Sequence, residues 1–346
     1  MSFHRLGDRT SAAPLPLAAP TPSFRVETKP TWVSGQYLIK ITRNDGIETT
    51  VPIVVREAVP RAPLLFQVSI TTPHAYNLWG GDSLYDNHST RTGFAGARAF
   101  RVSFDRPYTS IGGADYGFDV HSDFMLQWLE QSGYDIAYVT NVDIDENPDL
   151  LNARKLFVSV GHDEYWSVPE RNAVEAARDG SLSLAFFSAN SAYWRIRLDP
   201  SSTGQPRRII TCYKGDAHDP IANDPTTTNV FRSPPDANPE NALLGVMYQG
   251  WHYDGFPLIV TDPSHWVFEG TQVAGGETIS HVIGYEWDTT IDNGLTPTTL
   301  SAVLEDLALG ATARDHVEAV WQDHPRSSHG TGTLRLSTIL AVRNCL

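Results

Sequence analysis

Residues 155–180 read KLFVSVGHDEYWSVPERNAVEAARDG. An apolar run leads into a polar turn, and the turn leads into an amphipathic stretch that stops at Gly180, where a helix C-cap belongs. Strands with so little polar alternation are buried on both faces, which is the condition of a parallel sheet covered by helices. The same alternation recurs outward in both directions, in LLFQVSI (64–70), SDFMLQWLEQSG (122–133, ending at Gly133), IAYVT (136–140) and LSLAFFSAN (182–190). Repeated strand–helix–strand units predict an α/β protein built on a doubly wound, mostly parallel sheet. In such a sheet the chemistry belongs in the loops beyond the carboxyl ends of the strands.

Around this centre the chain changes character. Residues 1–30 are rich in Pro and Ala and read as a flexible arm, and Thr31–Val55 alternates about Asn44-Asp45-Gly46 as a β-hairpin, the remnant of a β-rich module. A boundary falls near 58–62, and the α/β unit then spans 61–320. Within it, 200–264 is an excursion of loops and short strands suited to a lid, and 265–287 returns to strand alternation. Residues 298–320 read as a helix or loop followed by a strand, and 321–346 as a divergent tail.

With 346 residues, 41% of them hydrophobic and 19% charged, the chain can bury a sizeable core. Its formal charge of −14 argues against a nucleic-acid partner, whose phosphates demand many cationic contacts, and against anionic membrane surfaces. No apolar run approaches the roughly 20 residues of a membrane span, and the N-terminus shows no uninterrupted apolar signal region, so the expected location is cytoplasmic. Cys212 and Cys345 form no CxxC pair and read as buried or incidental thiols.

The unusual polar residues gather after three strands. GHDEYW puts His162, Asp163, Glu164 and Tyr165 directly behind one of them. Asp163 or Ser167 could cap the following helix, with Glu164 free to be a ligand or base. YNLWGGDSLYDNH offers the phenols Tyr76 and Tyr85 beside His74 and His88, with Gly80-Gly81 permitting a tight turn. Phenolate ligation requires a hard, strongly acidic cation to draw down a pKa near 10, and ferric iron meets that demand. Asn190 ends the next strand, and Trp79, Trp166, Trp194 and Trp287 either line a pocket or close the core.

AYNLWGGDSLYDNH, FDRPY (104–108), DFMLQWLEQSGYDIAYVTNVDID (123–145), GHDEYW, FFSANSAYWR (186–195), CYK (212–214) and GYEWD (284–288) together resemble the C-terminal catalytic domain of the N,N-dimethylformamidase large subunit. The resemblance implies a fold similar to class I glutamine amidotransferases, with a mononuclear Fe(III) held by two tyrosinates and a carboxylate. It places Tyr76, Tyr85 and Glu164 at the ligand positions, with Tyr108 as a rival for the second tyrosinate. It makes His162, Asn190 and Glu286 the catalytic surroundings, Glu286 or His162 moving protons and Asn190 orienting the carbonyl. It also implies a small amide substrate and a small partner subunit or homo-oligomer.

The ligand set is chemically coherent, since two phenolates and a carboxylate neutralise a trivalent cation with hard oxygen donors. A structural reading would instead pair Glu286 with Arg195 or Arg197. An alternative function is a non-catalytic carbohydrate- or ligand-binding module on the same fold, for which 9 Trp and 13 Tyr supply stacking platforms.

Overall fold

The computed structural model of the chain describes residues 25–42, 44–46, 48–85, 98–108, 120–215, 217–260, 262–264, 268–289, 304–311 and 316–322. The arm up to residue 24, His88, Cys345, the side chain of Trp287 and the tail beyond 322 lie outside the described residues.

Strands β1 (Gly35–Thr42) and β2 (Glu48–Val55) pair antiparallel, with Gly46 in the connecting turn at φ +86°. There follow β3 (Leu64–Val68), α1 (Thr71–Tyr76), β4 (Arg101–Ser103), α2 (Val120–Gln131), β5 (Ile136–Thr140), α3 (Asn141–Glu146), β6 (Leu156–Val160), β7 (Tyr165–Ser167), α4 (Val168–Asp179) and β8 (Ser183–Phe187). Four of these strands form a wholly parallel sheet in the order β5-β3-β6-β8. The chain runs from β3 outward to β5, then crosses back past β3 to β6 and β8. The order therefore reverses between β3 and β6, and the loops leaving those two strands diverge to open a crevice.

Both faces of this sheet are covered, which explains strands with no polar alternation. Leu65, Ala137, Phe157, Leu184 and Phe186 point to one side, in a core shared with Ile144 of α3 and Val174 of α4. Phe66, Tyr138 and Val158 point to the other, in a core shared with Leu129 of α2. The cap of α4 is Ser167 and not Asp163: Ser167 Oγ accepts from the Glu170 amide at 3.1 Å, and the Glu170 carboxyl reaches back to the Ser167 amide. Gly180 is the C-cap residue at φ −77°, and the left-handed step falls on Ser181 at φ +93°.

Beyond β8 come β9 (Trp194–Asp199) and β10 (Ile209–Thr211), which join β4 and β7 in a small sheet ordered β4-β10-β9-β7. The excursion after β10 is firmly anchored. Arg195, 1% exposed, donates to the carbonyls of Pro225, Phe231 and Asp236, while Arg197 pairs with Asp219 at 2.9 Å.

A short α5 (Asn241–Leu244) precedes β11 (Met247–Val260), β12 (Thr278–Thr289), β13 (Leu304–Ala311) and β14 (His316–Gln322), an antiparallel sheet in the order β12-β11-β13-β14. The register slips between Phe256 and Leu258, where Pro257 has no amide to give. Residues 304–311 are a strand, which corrects the expectation of a helix or loop there. Among the described residues no helix is long and apolar enough to cross a membrane.

Candidate active site

The crevice between β3 and β6 holds a cluster assembled from two local turns. α1 lacks a side-chain N-cap, but the Ile70 amide that precedes it donates to Asn141 Oδ1 at 2.9 Å, so the first residue of α3 fixes its start. Tyr76 is its last residue. Gly80 and Gly81, at φ +93° and +109°, then reverse the chain in a region open to glycine at little cost. The Leu84 amide returns to the Ala75 carbonyl at 2.8 Å, and the Tyr76 and Tyr85 rings stack with centroids 4.4 Å apart.

Arg106 of FDRPY clamps this turn by donating to the carbonyls of His74, Asn77, Trp79 and Asp82. Burial lowers its pKa to about 10. His74 is enclosed with its ring 4.6 Å from those of both Phe104 and Tyr108, and burial, followed by the charge of Arg106, lowers it to about 3. It is a neutral packing histidine.

Glu164, 2% exposed, enters from the loop after β6. Its amide donates to Thr72 Oγ1 at 2.9 Å, and its carbonyl accepts from the amides of Tyr193 and Trp194, so α1 and the chain entering β9 grip it from both sides. The Tyr76 hydroxyl donates to Glu164 Oε2 at 3.0 Å and the Tyr85 hydroxyl donates to Oε1. Trp194 Nε1 donates to the Tyr85 oxygen at 3.0 Å. Tyr76 and Tyr85 thus both meet Glu164, while Tyr108 packs on His74.

Burial, and then the charge of Glu164, push both phenols well above 10. Burial likewise raises Glu164, with His162 and Lys214 opposing and Glu286 adding to the rise.

His162 Nε2 stands 3.3 Å from the Tyr76 oxygen, and Nδ1 lies 3.1 Å from Glu286 Oε2. Glu286 arrives on β12, and its other oxygen accepts from Asn190 Nδ2 at 3.0 Å. Asn190 is left-handed at φ +56°, a conformation that Asn tolerates and that is held here by its amide donating to Asp288 Oδ1 at 2.9 Å. Neither Arg195 nor Arg197 pairs with Glu286, because each is engaged elsewhere. One N–H of Asn190 Nδ2 goes to Glu286, so Asn190 orients that carboxylate in this geometry, and the amide has a second N–H besides.

Two neighbours were not singled out by the sequence. Lys214, at φ +56°, sets its ammonium 3.0 Å from the Tyr85 ring centroid and 4.6 Å from that of Trp194. Its motif CYK was visible, but its direction was not. The second, Arg106, lay inside FDRPY. Trp166 is wholly buried against Phe157 and closes the core, and burial raises the thiol of the free Cys212 to about 11.

Among the described residues no group of three or more His, Cys, Asp or Glu could hold a metal ion. A cation here would have to be held through the phenols. The donor set fits one: three hard oxygens already adjoin, and the raised phenols lose their protons only to a strongly acidic cation.

An α/β protein with a phenol–carboxylate cluster at the switch point of its parallel sheet is thereby defined. Residues 18–341 match the family described as N,N-dimethylformamidase beta subunit-like, C-terminal, and the chain belongs to that family. The match runs through the hairpin and through the segment after residue 320. No curated protein matches the chain.

Proposed function

We propose that the chain hydrolyses the C–N bond of a small linear amide, using a mononuclear iron(III) held by Tyr76, Tyr85 and Glu164. The observation that carries this reading is the continuous run of contacts from Glu164 through His162 and Glu286 to Asn190, which sets a second carboxylate, Glu286, beside the cluster. Bound there, iron would supply a Lewis acid for the amide carbonyl and acidify a water.

The chain's own groups do the rest. Glu286, fixed between Asn190 and His162, takes a proton at its carboxylate and returns it to the leaving nitrogen. His162 keeps its Nδ1 on that carboxylate while its Nε2 faces Tyr76. Lys214 offsets part of the negative charge that ionised phenols and Glu164 would gather. A C–O bond forms, the C–N bond breaks, and the amine departs with the proton.

The parallel sheet ordered 2-1-3-4 in chain order supports a fold similar to class I glutamine amidotransferases, and the family's description as beta subunit-like supports a partner subunit. Elemental analysis with a visible spectrum tests the centre. Stoichiometric iron with a phenolate charge-transfer band, and amide hydrolysis lost on chelation, is the expected result. Colourless, metal-free protein inactive on amides would overturn it in favour of a binding module.

A further inference from the structure

Of the polar side chains in His162–Tyr165, only the Tyr165 hydroxyl has no hydrogen-bond partner among the described residues. Tyr165 opens β7, is 0% exposed and shares an apolar core with Leu84, Ile196 and Ile210. An unpaired buried hydroxyl is destabilising, and native interiors rarely keep one without a use for it.

Its neighbour is Tyr85. The two rings meet edge-on, with centroids 6.1 Å apart at 89°. Burial raises the Tyr165 phenol well above 10, the charges of Glu164 and Tyr76 add to the rise, and Tyr85 opposes it as a hydrogen-bonding neighbour. The backbone holds the ring in place: Thr71 Oγ1 donates to the Tyr165 carbonyl at 2.7 Å, and Thr72 Oγ1 accepts from its amide at 3.4 Å. The Cys212 thiol, also close enough to act on this phenol, turns to the Arg195 carbonyl.

What Tyr85 can accept depends on its own proton. As a phenol it gives that proton to Glu164 Oε1 and already accepts from Trp194 Nε1. As a phenolate it carries a charge, and ionised acceptors form shorter and stronger hydrogen bonds than neutral ones. We propose that Tyr165 is a positioning residue for the metal centre, its hydroxyl donating to the Tyr85 oxygen once that oxygen has exchanged its proton for the cation. The donor that stands unpaired beside a phenol is then paired beside a phenolate. This rests on the iron centre of the proposed function, not on amide hydrolysis, and adds a third phenol that tunes it.

The test compares Tyr165→Phe with the wild type in the full chain, first stripped of metal by a chelator and then titrated with ferric citrate. Because Phe removes an unpaired hydroxyl and keeps the ring, the metal-free variant should melt no lower than the wild type. Loaded with iron, the order reverses. The variant should then melt lower and hold iron about 10- to 100-fold more weakly. Its charge-transfer band should move to longer wavelength, since a hydrogen bond to a phenolate holds back the electrons that the band transfers.

Equal melting shifts with and without iron, or an unmoved band, overturns the proposal and leaves the iron centre standing. A metal-free variant that melts well below the wild type also overturns it, because the hydroxyl would then be paired beside the phenol. A wild type that takes up no ferric iron sinks the centre, and the role of Tyr165 falls with it. A moved band in a protein without amidase activity sinks the hydrolase reading alone.

Discussion

Asp163 and Glu164 are consecutive carboxylates, 0% and 2% exposed, yet the chain surrounds them with different donors. Asp163 accepts from Gln67 Nε2 at 2.8 Å, Ser159 Oγ at 2.8 Å and Asn141 Nδ2 at 2.9 Å, groups drawn from the ends of β3, β6 and β5 that keep their protons at any ordinary pH. Glu164 accepts from two phenols and adjoins an imidazole, all of which can change protonation. One carboxylate ties three strand ends together. The other is solvated by groups that a cation could rearrange. Burial alone does not separate structure from chemistry, but the titratability of the partners does.

Replacing Glu164 should break the comparison most completely. Glu164→Gln keeps the shape and removes the charge that a cation would need, so iron should fall from stoichiometric to background and amide hydrolysis should vanish, with the melting temperature little changed. Retained iron would show that the phenols do not depend on this carboxylate. Glu286→Gln comes next: iron and its colour should persist, while kcat falls by about 10²–10⁴, the usual contribution of proton transfer. Full turnover in that variant would remove Glu286 from the chemistry.

The other half of the comparison should fail in a different measurement. Asp163→Asn replaces one carboxylate oxygen by an amide nitrogen, which must face either Asn141 Nδ2 or the pair Gln67 Nε2 and Ser159 Oγ, so one or two donors lose their acceptor and about 1–3 kcal/mol of stability should go with it. The folded fraction should retain its iron spectrum. If the variant melted like the wild type but lost its iron, Asp163 would belong to the chemistry and the distinction between the two residues would collapse.

How much of this was legible depended on how far each group reaches along the chain. The parallel sheet and its helices were readable because apolar strands and amphipathic helices are local patterns. Glu164 and His162 stood out because strand ends concentrate function, whereas Tyr76 and Tyr85 were set apart from packing residues only by the family resemblance. Tyr85 was preferred to Tyr108 on the resemblance alone, since which phenol meets Glu164 rests on how the Gly80-Gly81 turn stacks two rings.

Lys214 and Arg106 were missed for the same reason: a cation's direction is set by tertiary packing, and neither stands at a strand end of the parallel sheet. The strand at 304–311 was read as helix or loop because alternation over a short segment does not separate the two. Asn190 shows the limit most clearly. Its place near the site was readable, whereas its partner, Glu286, sits 96 residues away on a different sheet.

The last comparison concerns Asp288, a third buried carboxyl, whose backbone donor Asn190 also reaches Glu286. Its Oδ1 accepts from the Asn190 amide, its Oδ2 has no partner, and burial raises it from 3.8 to about 8. Because the folded pKa lies above the unfolded one, the native state keeps a proton that the unfolded chain has already released between about pH 4 and pH 8. Stability attributable to this group is therefore whole below about 4, falls as pH rises through that window, and levels off above about 8. A single proton changes the unfolding constant by at most about tenfold per pH unit.

Asp288→Asn imitates the protonated form and still offers an oxygen to the Asn190 amide. It should match the wild type at pH 4, become the more stable protein as pH rises, and hold a constant margin above pH 8. The difference between the two melting curves across pH isolates this group from Glu164 and Glu170, which burial also raises. A margin that shrank with rising pH would mean that Asp288 is ionised in the native state, and Asn190 would then be held in its left-handed conformation by a charge instead of a neutral carboxyl.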